Sequence, residues 1–138
     1  MPARDIFHHS CKNALIHDGW AITHDPYLLR WGSKDLYVDL GAKKILAAEK
    51  IDSKIAVEVK SFVSPSEVED LRNAVGQFVL DEALLARTDP ERKLYLAIRE
   101  TIFTQLFEDS LGKVLLEDKK IKLIVFNSDL EAIVRWIS

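Results

Sequence analysis

Hydrophobic positions fall into two rhythms along this chain. Near the N-terminus Phe7, Cys11, Ala14 and Leu15 recur at helical spacing between Asp5, a capping residue type, and Gly19, which follows His17 and Asp18 as a stop. A helix over residues 5–18 is expected. WAITHDP reads as a short strand closed by the Asp25-Pro26 turn, and YLLRWGSKD as a loop of mixed basic and aromatic character. Three strand-like runs then follow in close succession, LYVDLG, KILAAEK and KIAVEVKSF. Their short intervals, Gly41 with two lysines and then Ile51-Asp52-Ser53, favour a meander of antiparallel hairpins.

Past Ser64 and Pro65 the rhythm becomes helical. Ser66 is a capping residue type, Glu67, Glu69 and Asp70 suit the positive end of a helix dipole, and the pattern predicts a helix over 66–87. It carries two stripes: Val68, Leu71, Val75, Phe78 and Val79 on one side, and Asn73, Gln77, Leu80 and Leu84 on another. A helix apolar on more than one side is sandwiched between layers or meets a partner, by self-association or with another protein. Asp89 and Pro90 end it, and LYLAI reads as a strand returning beside the first sheet by a crossover. A short helix at 102–107, a helical turn at 111–117, and the strands IKLIVF and EAIVRWI, joined as a hairpin through Asn127-Ser128-Asp129, complete the pattern. The order implies a single mixed α/β domain over 1–138, its sheet covered by helices.

One strand raises a chemical question. In IAVEVKSF alternate side chains share a face, so Ile55, Val57 and Val59 point one way while Ala56, Glu58 and Lys60 point the other. In LYVDLG the same parity puts Leu36, Val38 and Leu40 on one face, with Tyr37, Asp39 and Gly41 opposite. If both runs lie in one sheet, Asp39, Glu58 and Lys60 converge. Two carboxylates close together repel unless a proton or cation intervenes, and Mg²⁺, or Mn²⁺, suits such an oxygen site. A neighbouring ammonium can then stabilise charge on a phosphoryl transition state or position the attacking water. Those are the parts of a metal-dependent phosphodiester hydrolase. The bland alternative is a solvated strand face with a surface ion pair contributing about 0–1 kcal/mol. Glu49, in LAAEK, is a rival carboxylate that replaces or joins Asp39.

Composition narrows the setting. The 138 residues are 48% hydrophobic and 30% charged, with no apolar run of membrane-spanning length and no secretory pattern at the N-terminus. Cys11 is a lone cysteine, so no internal disulfide forms and a reducing cytoplasm is the expected location. A net charge of −3 argues against nonspecific coating of nucleic acid. The first 60 residues are the better suited to meeting an anion, with nine Lys/Arg against eight Asp/Glu; the remainder has ten against fourteen. Trp31, with Arg30 and Lys34, is suited to stacking on and neutralising nucleic acid, or to a protein contact or packed lid. His8, His9, His17 and His24 lack zinc-site spacing and read as helix-surface residues, Ser61 and Cys11 lack a nearby base, and Trp20 and Trp136 read as core.

The order helix, strand, Asp-bearing strand, Glu-Val-Lys strand, helix, strand resembles the PD-(D/E)xK, restriction-endonuclease-like nuclease superfamily. More specifically, MPARDIFHHSCKNALIHDGWAITHDP, KDLYVDLGAKKILAAEK, IAVEVKSF and IKLIVFNSDLEAIVRWI resemble the XisH family of fdxN element excision controlling factors, over nearly the whole chain. The resemblance implies an αβββαβ core with a C-terminal β-hairpin. It also implies a role in controlled excision of a DNA element from cyanobacterial chromosomes, with DNA, a XisI-like protein and a separate recombinase as partners. Superfamily roles would make Asp39 and Glu58 metal ligands, Lys60 the catalytic lysine, and Gln77, in VGQFVL, a residue orienting water or phosphate. Asp5 and Asp18 are the acids available on the first helix, and Val38 stands where the superfamily often has proline. Two readings follow: an Mg²⁺-dependent endodeoxyribonuclease, or an inactive nuclease fold that regulates by binding a partner or recombinase.

Overall fold

The structure, a computed structural model, describes residues 4–45 and 52–138. Along them run α1 (His8–His17), β1 (Ala21–His24), β2 (Tyr27–Trp31), β3 (Lys34–Val38), β4 (Leu40–Ile45), β5 (Asp52–Val59), α2 (Glu67–Thr88) and β6 (Arg92–Arg99). Then come α3 (Glu100–Ile102), continuing as one π-helical turn (Phe103–Phe107), α4 (Leu111–Glu117), β7 (Leu123–Asn127) and β8 (Ala132–Ile137). Among the described residues six strands form one mixed sheet in the order β1-β4-β5-β6-β7-β8, and β2 and β3 form a separate ribbon. The central pairs β5-β6 and β6-β7 are parallel, with α2 and the α3–α4 segment as their crossovers, and the outer pairs are antiparallel. Leu94–Ile98 is buried throughout, as a parallel strand covered on both faces requires.

Two apolar layers flank the sheet. On one side Cys11, Ala14 and Leu15 of α1 pack with Leu40, Ile55, Val57, Val59, Ala97 and Ile124. On the other, Leu71, Ala74, Phe78 and Leu85 of α2 meet Ala56, Leu94, Leu96 and Ile98, with Leu29 and Val38 of the ribbon and Phe103, Leu106 and Phe107 in the same cluster. Ser66 caps α2 by accepting a hydrogen bond from the Glu69 amide at 3.2 Å, and the three acids of the first turn sit where the dipole favours them. Gly19, at φ +95°, closes α1. No described helix is long and apolar enough to cross a membrane.

The expected mixed α/β fold, the crossover after the long helix and the C-terminal hairpin are all present. Three local expectations change. YLLRWGSKD is a hairpin: Tyr27–Trp31 pairs with Lys34–Val38 across Gly32-Ser33, with Gly32 at φ +60°. The run LYVDLG breaks at Asp39, so Val38 faces the α2 layer and Leu40 the α1 layer, and Gly41 with its two lysines, expected as the turn before KILAAEK, lies inside β4, so no hairpin forms there. The buried stripe of α2 is Leu71, Ala74, Phe78, Asp81 and Leu85, while Val68, Val79 and Leu80 are exposed. Most of KILAAEK, including Glu49, lies outside the described residues.

The N-terminal end of the parallel strands is closed by Arg92. Its guanidinium is buried, donates to the Ile55 carbonyl at 2.8 Å and to Asp89 at 2.9 Å, and lies over the Tyr27 ring at 4.7 Å. Lys54 reaches the same carboxylate at 3.0 Å, and these two cations hold Asp89 below the usual carboxylate range despite burial. Arg92→Met should therefore destabilise the fold by roughly 3 kcal/mol, because it removes one of the two cations on Asp89 and the buried guanidinium that donates to the Ile55 carbonyl. Urea unfolding followed by circular dichroism measures this, and adding Asp89→Asn should recover part of the loss.

Candidate active site

The break at Asp39 builds the site. Leu40 pairs with Val57 in the β4-β5 ladder, so the next positions outward, Asp39 and Glu58, stand opposite each other. Asp39 accepts a hydrogen bond from the Val59 amide at 2.7 Å, which holds its carboxylate at the end of the sheet. Glu58, on the α2 face of β5, hydrogen-bonds to the Asp39 carboxylate. Lys60 follows directly after β5, its amide bonded to the Ala97 carbonyl at 3.1 Å, and its charge acts on Glu58. Lys60 forms no ion pair among the described residues. Asp39, Glu58 and Lys60 are thus brought together near the carboxyl end of a central parallel strand, where open α/β sheets bind ligands.

Gln77 is exposed on α2 and makes no hydrogen bond to these three among the described residues. One turn further on lies Asp81, which parity and the apolar stripes did not single out. It is 6% exposed, and its charge is felt by Glu58 and responds to Asp39. The signal for it was the spacing 71, 74, 78, 81, 85, which puts a carboxylate in the middle of the buried stripe. Asp5 also belongs to this end of the sheet: its carboxylate accepts the Phe7 amide and the Ser61 amide, both at 2.9 Å, and its charge reaches Asp39. Asp18 instead bonds to the Trp20 indole at 3.2 Å and lies 3.7 Å from Lys44.

Histidine 8 departs from its expected surface position. It is 3% exposed, with Nε2 at 2.8 Å from Asp25, while Nδ1 is buried without a hydrogen-bond partner among the described residues. Asp25 is held below the usual carboxylate range against burial by Lys12, at 2.7 Å, and His8. Cys11, one turn along, has its thiol pushed up by burial and then by Asp39 and Asp5, so it is an inert core residue.

Two carboxyls a hydrogen bond apart do not both ionise without a cation. Burial, then the Asp39 carboxylate and the Asp81 charge, push Glu58 up to about 9, with Lys60 pulling the other way. Burial also raises Asp39, against the Val59 amide and the Glu58 hydrogen bond. The pair therefore holds a proton well above the ordinary carboxylate range. That proton occupies the role of a cation, and the donor set is all oxygen, the chemistry a hard divalent ion requires. Among the described residues no three His, Cys, Asp or Glu side chains converge as a ready ligand group. The pair therefore suits an ion that keeps several of its waters.

The proton has a thermodynamic signature. The folded chain retains it above pH 4.5, where an unfolded glutamate releases it, until about pH 9. Stability in chelator therefore falls as pH rises through that window, by up to about 1.4 kcal/mol per pH unit for one proton. Glu58→Gln should flatten this slope and raise stability at the alkaline end, as urea titrations at about pH 6 and about pH 9 will measure.

Against known proteins, the family model described as XisH protein matches residues 1–134. The crystal structure of an XisH family protein from Nostoc punctiforme PCC 73102 is 36% identical, with a TM-score of 0.86, over 97% of this chain and 100% of that one. That of an fdxN element excision controlling factor protein from Anabaena variabilis is 34% identical, with a TM-score of 0.85, over 98% of this chain and 100% of that one. A search of the curated proteins finds no match. With the family model matched over residues 1–134 and the fold matched over the full length of both crystal structures, this chain belongs to the XisH family.

Proposed function

We propose that this XisH-family chain is a DNA-element excision controlling factor that hydrolyses DNA phosphodiester bonds with Mg²⁺ or Mn²⁺, in the manner of PD-(D/E)xK nucleases. What supports the reading is the half-buried Asp39–Glu58 pair, set opposite each other where the β4-β5 ladder ends and Asp39 accepts the Val59 amide, with Lys60 two residues beyond Glu58. Asp39, fixed by the Val59 amide, and Glu58 would hold the cation. When bound, the ion supplies charge to a phosphoryl oxygen and lowers the pKa of a coordinated water. Lys60 holds a positive charge beside Glu58, where negative charge accumulates in phosphoryl transfer, and its position beyond the strand end leaves the ammonium within reach of a substrate. Gln77, exposed on α2, would contact a phosphate or its water.

The second reading, a regulator without catalysis, is favoured by the surface between α2 and α4. Val68, Leu71, Val75, Leu111, Val114 and Leu115 line an open groove of about 580 Å³, with Val68, Leu111 and Val114 exposed. In that reading the fold binds a XisI-like protein or a recombinase, or a second copy of itself, and the carboxylates are inherited.

Lys60→Ala distinguishes the two. On supercoiled, linear and single-stranded DNA with Mg²⁺ or Mn²⁺, the native chain should cleave at least one form. Lys60→Ala should lose about 10²-fold or more of that rate, the scale of removing one charge-stabilising donor, with unchanged circular dichroism. Absence of cleavage by the native chain, with excision control intact in Lys60→Ala, would establish the regulatory reading instead.

A further inference from the structure

An arginine stands at each end of β6, and only one of them has a carboxylate. Arg92, at the start of the strand, donates to the Ile55 carbonyl at 2.8 Å, lies over the Tyr27 ring and meets Asp89 at 2.9 Å. Arg99, at the carboxyl end, repeats the first two contacts: its Nη2 donates to the Ser61 carbonyl at 2.8 Å, and its guanidinium lies 4.2 Å from the centre of the Phe7 ring. It has no counterpart of Asp89. Arg99 is half-buried, forms no ion pair among the described residues, and its Nε is buried without an acceptor among them. The acids beside it are engaged elsewhere, Asp5 by the Phe7 and Ser61 amides, both at 2.9 Å, and Glu100 by Asn127 at 3.5 Å. A fixed, partly desolvated guanidinium with an orphaned donor suits an anion that the chain itself does not supply.

We infer that Arg99 is a phosphate-binding residue, its guanidinium receiving a backbone phosphodiester of DNA in the position that Asp89 takes at Arg92. The inference rests on the reading that the chain acts on DNA, and gives that reading a contact to the backbone. Nη1 has no partner among the described residues and is not enclosed, so with Nη2 it offers the fork of donors that matches two phosphate oxygens. The stack on Phe7 and the bond to Ser61 hold this fork in place beforehand, which lowers the cost of ordering it on binding. Ser61 also ties Arg99 to the carboxylate pair, because it follows Lys60 directly, and the Lys60 amide bonds to Ala97, two residues before Arg99. Ala97 lies in the α1 layer, so Arg99 leaves the sheet on that face, while Lys60 keeps step with Ala56 in the other layer. The two cations thereby straddle the carboxyl edge of the central strands, where Lys60 meets the phosphate to be cleaved and Arg99 a neighbouring one. Arg4, next to Asp5 and 53% exposed, extends this flank; it lies 3.2 Å from Asp25, which Lys12 also contacts at 2.7 Å, so two cations share one carboxylate.

Binding of a short fluorescein-labelled oligonucleotide, duplex and single-stranded, tests this by anisotropy over a range of salt. It is read in chelator, and in Mg²⁺ on the Lys60→Ala background, so that no strand is cut. The chain with Arg99 intact should bind. Arg99→Gln should weaken binding about 10-fold, the loss of one charge-assisted contact. It should also lower the slope of log affinity against log salt by about 0.9 for duplex and about 0.7 for single strands, one phosphate fewer. Arg99→Lys, which keeps the charge and loses the fork, should keep the slope and lose part of the affinity. Lys93→Gln, an exposed charge removed at the other end of β6, should change neither. If Arg99→Gln matches the native chain in affinity and slope, the inference is wrong while the DNA reading stands. If no DNA binds under either condition, the inference and the nuclease reading fail together. Inorganic phosphate that raises the Tm of the native chain but not of Arg99→Gln, and displaces the oligonucleotide at equal phosphate concentration, would make the occupant a free anion and overturn the DNA assignment. Where circular dichroism shows Arg99→Gln unfolded, a folded Arg99→Lys decides: binding weaker than that of Lys93→Gln supports the role, and equal binding overturns it.

Discussion

The bond from the Val59 amide to the Asp39 carboxylate holds two levels of the structure together. β4 begins at Leu40, so the amide of Val59 on that edge of β5 has no main-chain partner, and the side chain of Asp39 takes the place of one. The next amide, that of Lys60, turns to β6 and bonds to Ala97. The same bond marks where the chain leaves the ribbon and joins the large sheet, so Asp39 cannot be displaced without losing both a strand-end hydrogen bond and the register opposite Glu58. A structural requirement of the sheet thereby delivers a carboxylate to its carboxyl edge.

The sheet is electrostatically asymmetric as a result. At its N-terminal end Asp89 is satisfied by Arg92 and Lys54, and its carboxyl is held down. About 13 Å away, four residues along β5, Glu58, Asp39 and Asp81 are all pushed up and form no ion pair among the described residues. Burial is deeper around Glu58 and Asp39 than around Asp89, and the chain supplies less positive charge there. Where positive charge is scarce, burial and mutual repulsion keep the acidic groups raised, a condition that structural ion pairs avoid and binding sites use.

Much of this was legible in the sequence, and the exceptions have physical reasons. The parity of β5 was read correctly, with Ile55, Val57 and Val59 in one core and Ala56 in the other, because nothing interrupts that strand. In LYVDLG the alternation appeared continuous, yet a bend at Asp39 reverses it, a change that period-2 reasoning does not detect when polar and apolar residues still alternate. The pairing of Asp39 with Glu58 survived because it depends on the residue opposite Val57, not on which face Val38 shows. The ribbon was hidden by charged and aromatic residues at its end, although two five-residue runs around Gly32-Ser33 have the form of a two-residue hairpin. Trp31 is 45% exposed there, and Arg30 is paired with Asp35 across the strands at 2.9 Å. Asp81 was missed for a different reason: an acid in an apolar stripe looks like an end to the stripe unless Leu85 beyond it is counted.

The N-terminal helix has a consequence for synthesis. Asn13 bonds to the Glu131 carboxylate at 3.0 Å and His17 to its main-chain carbonyl at 2.8 Å, across a separation of 118 residues for the first contact. Trp20 stacks 5.6 Å from Trp136, and the apolar side of α1 is covered by strands up to Phe126. On a ribosome making about 5–20 residues per second, α1 emerges roughly ten seconds before the segments that cover it. Cys11, Ala14 and Leu15 are incompletely covered for that interval, so the nascent chain offers chaperones apolar surface that the finished protein conceals.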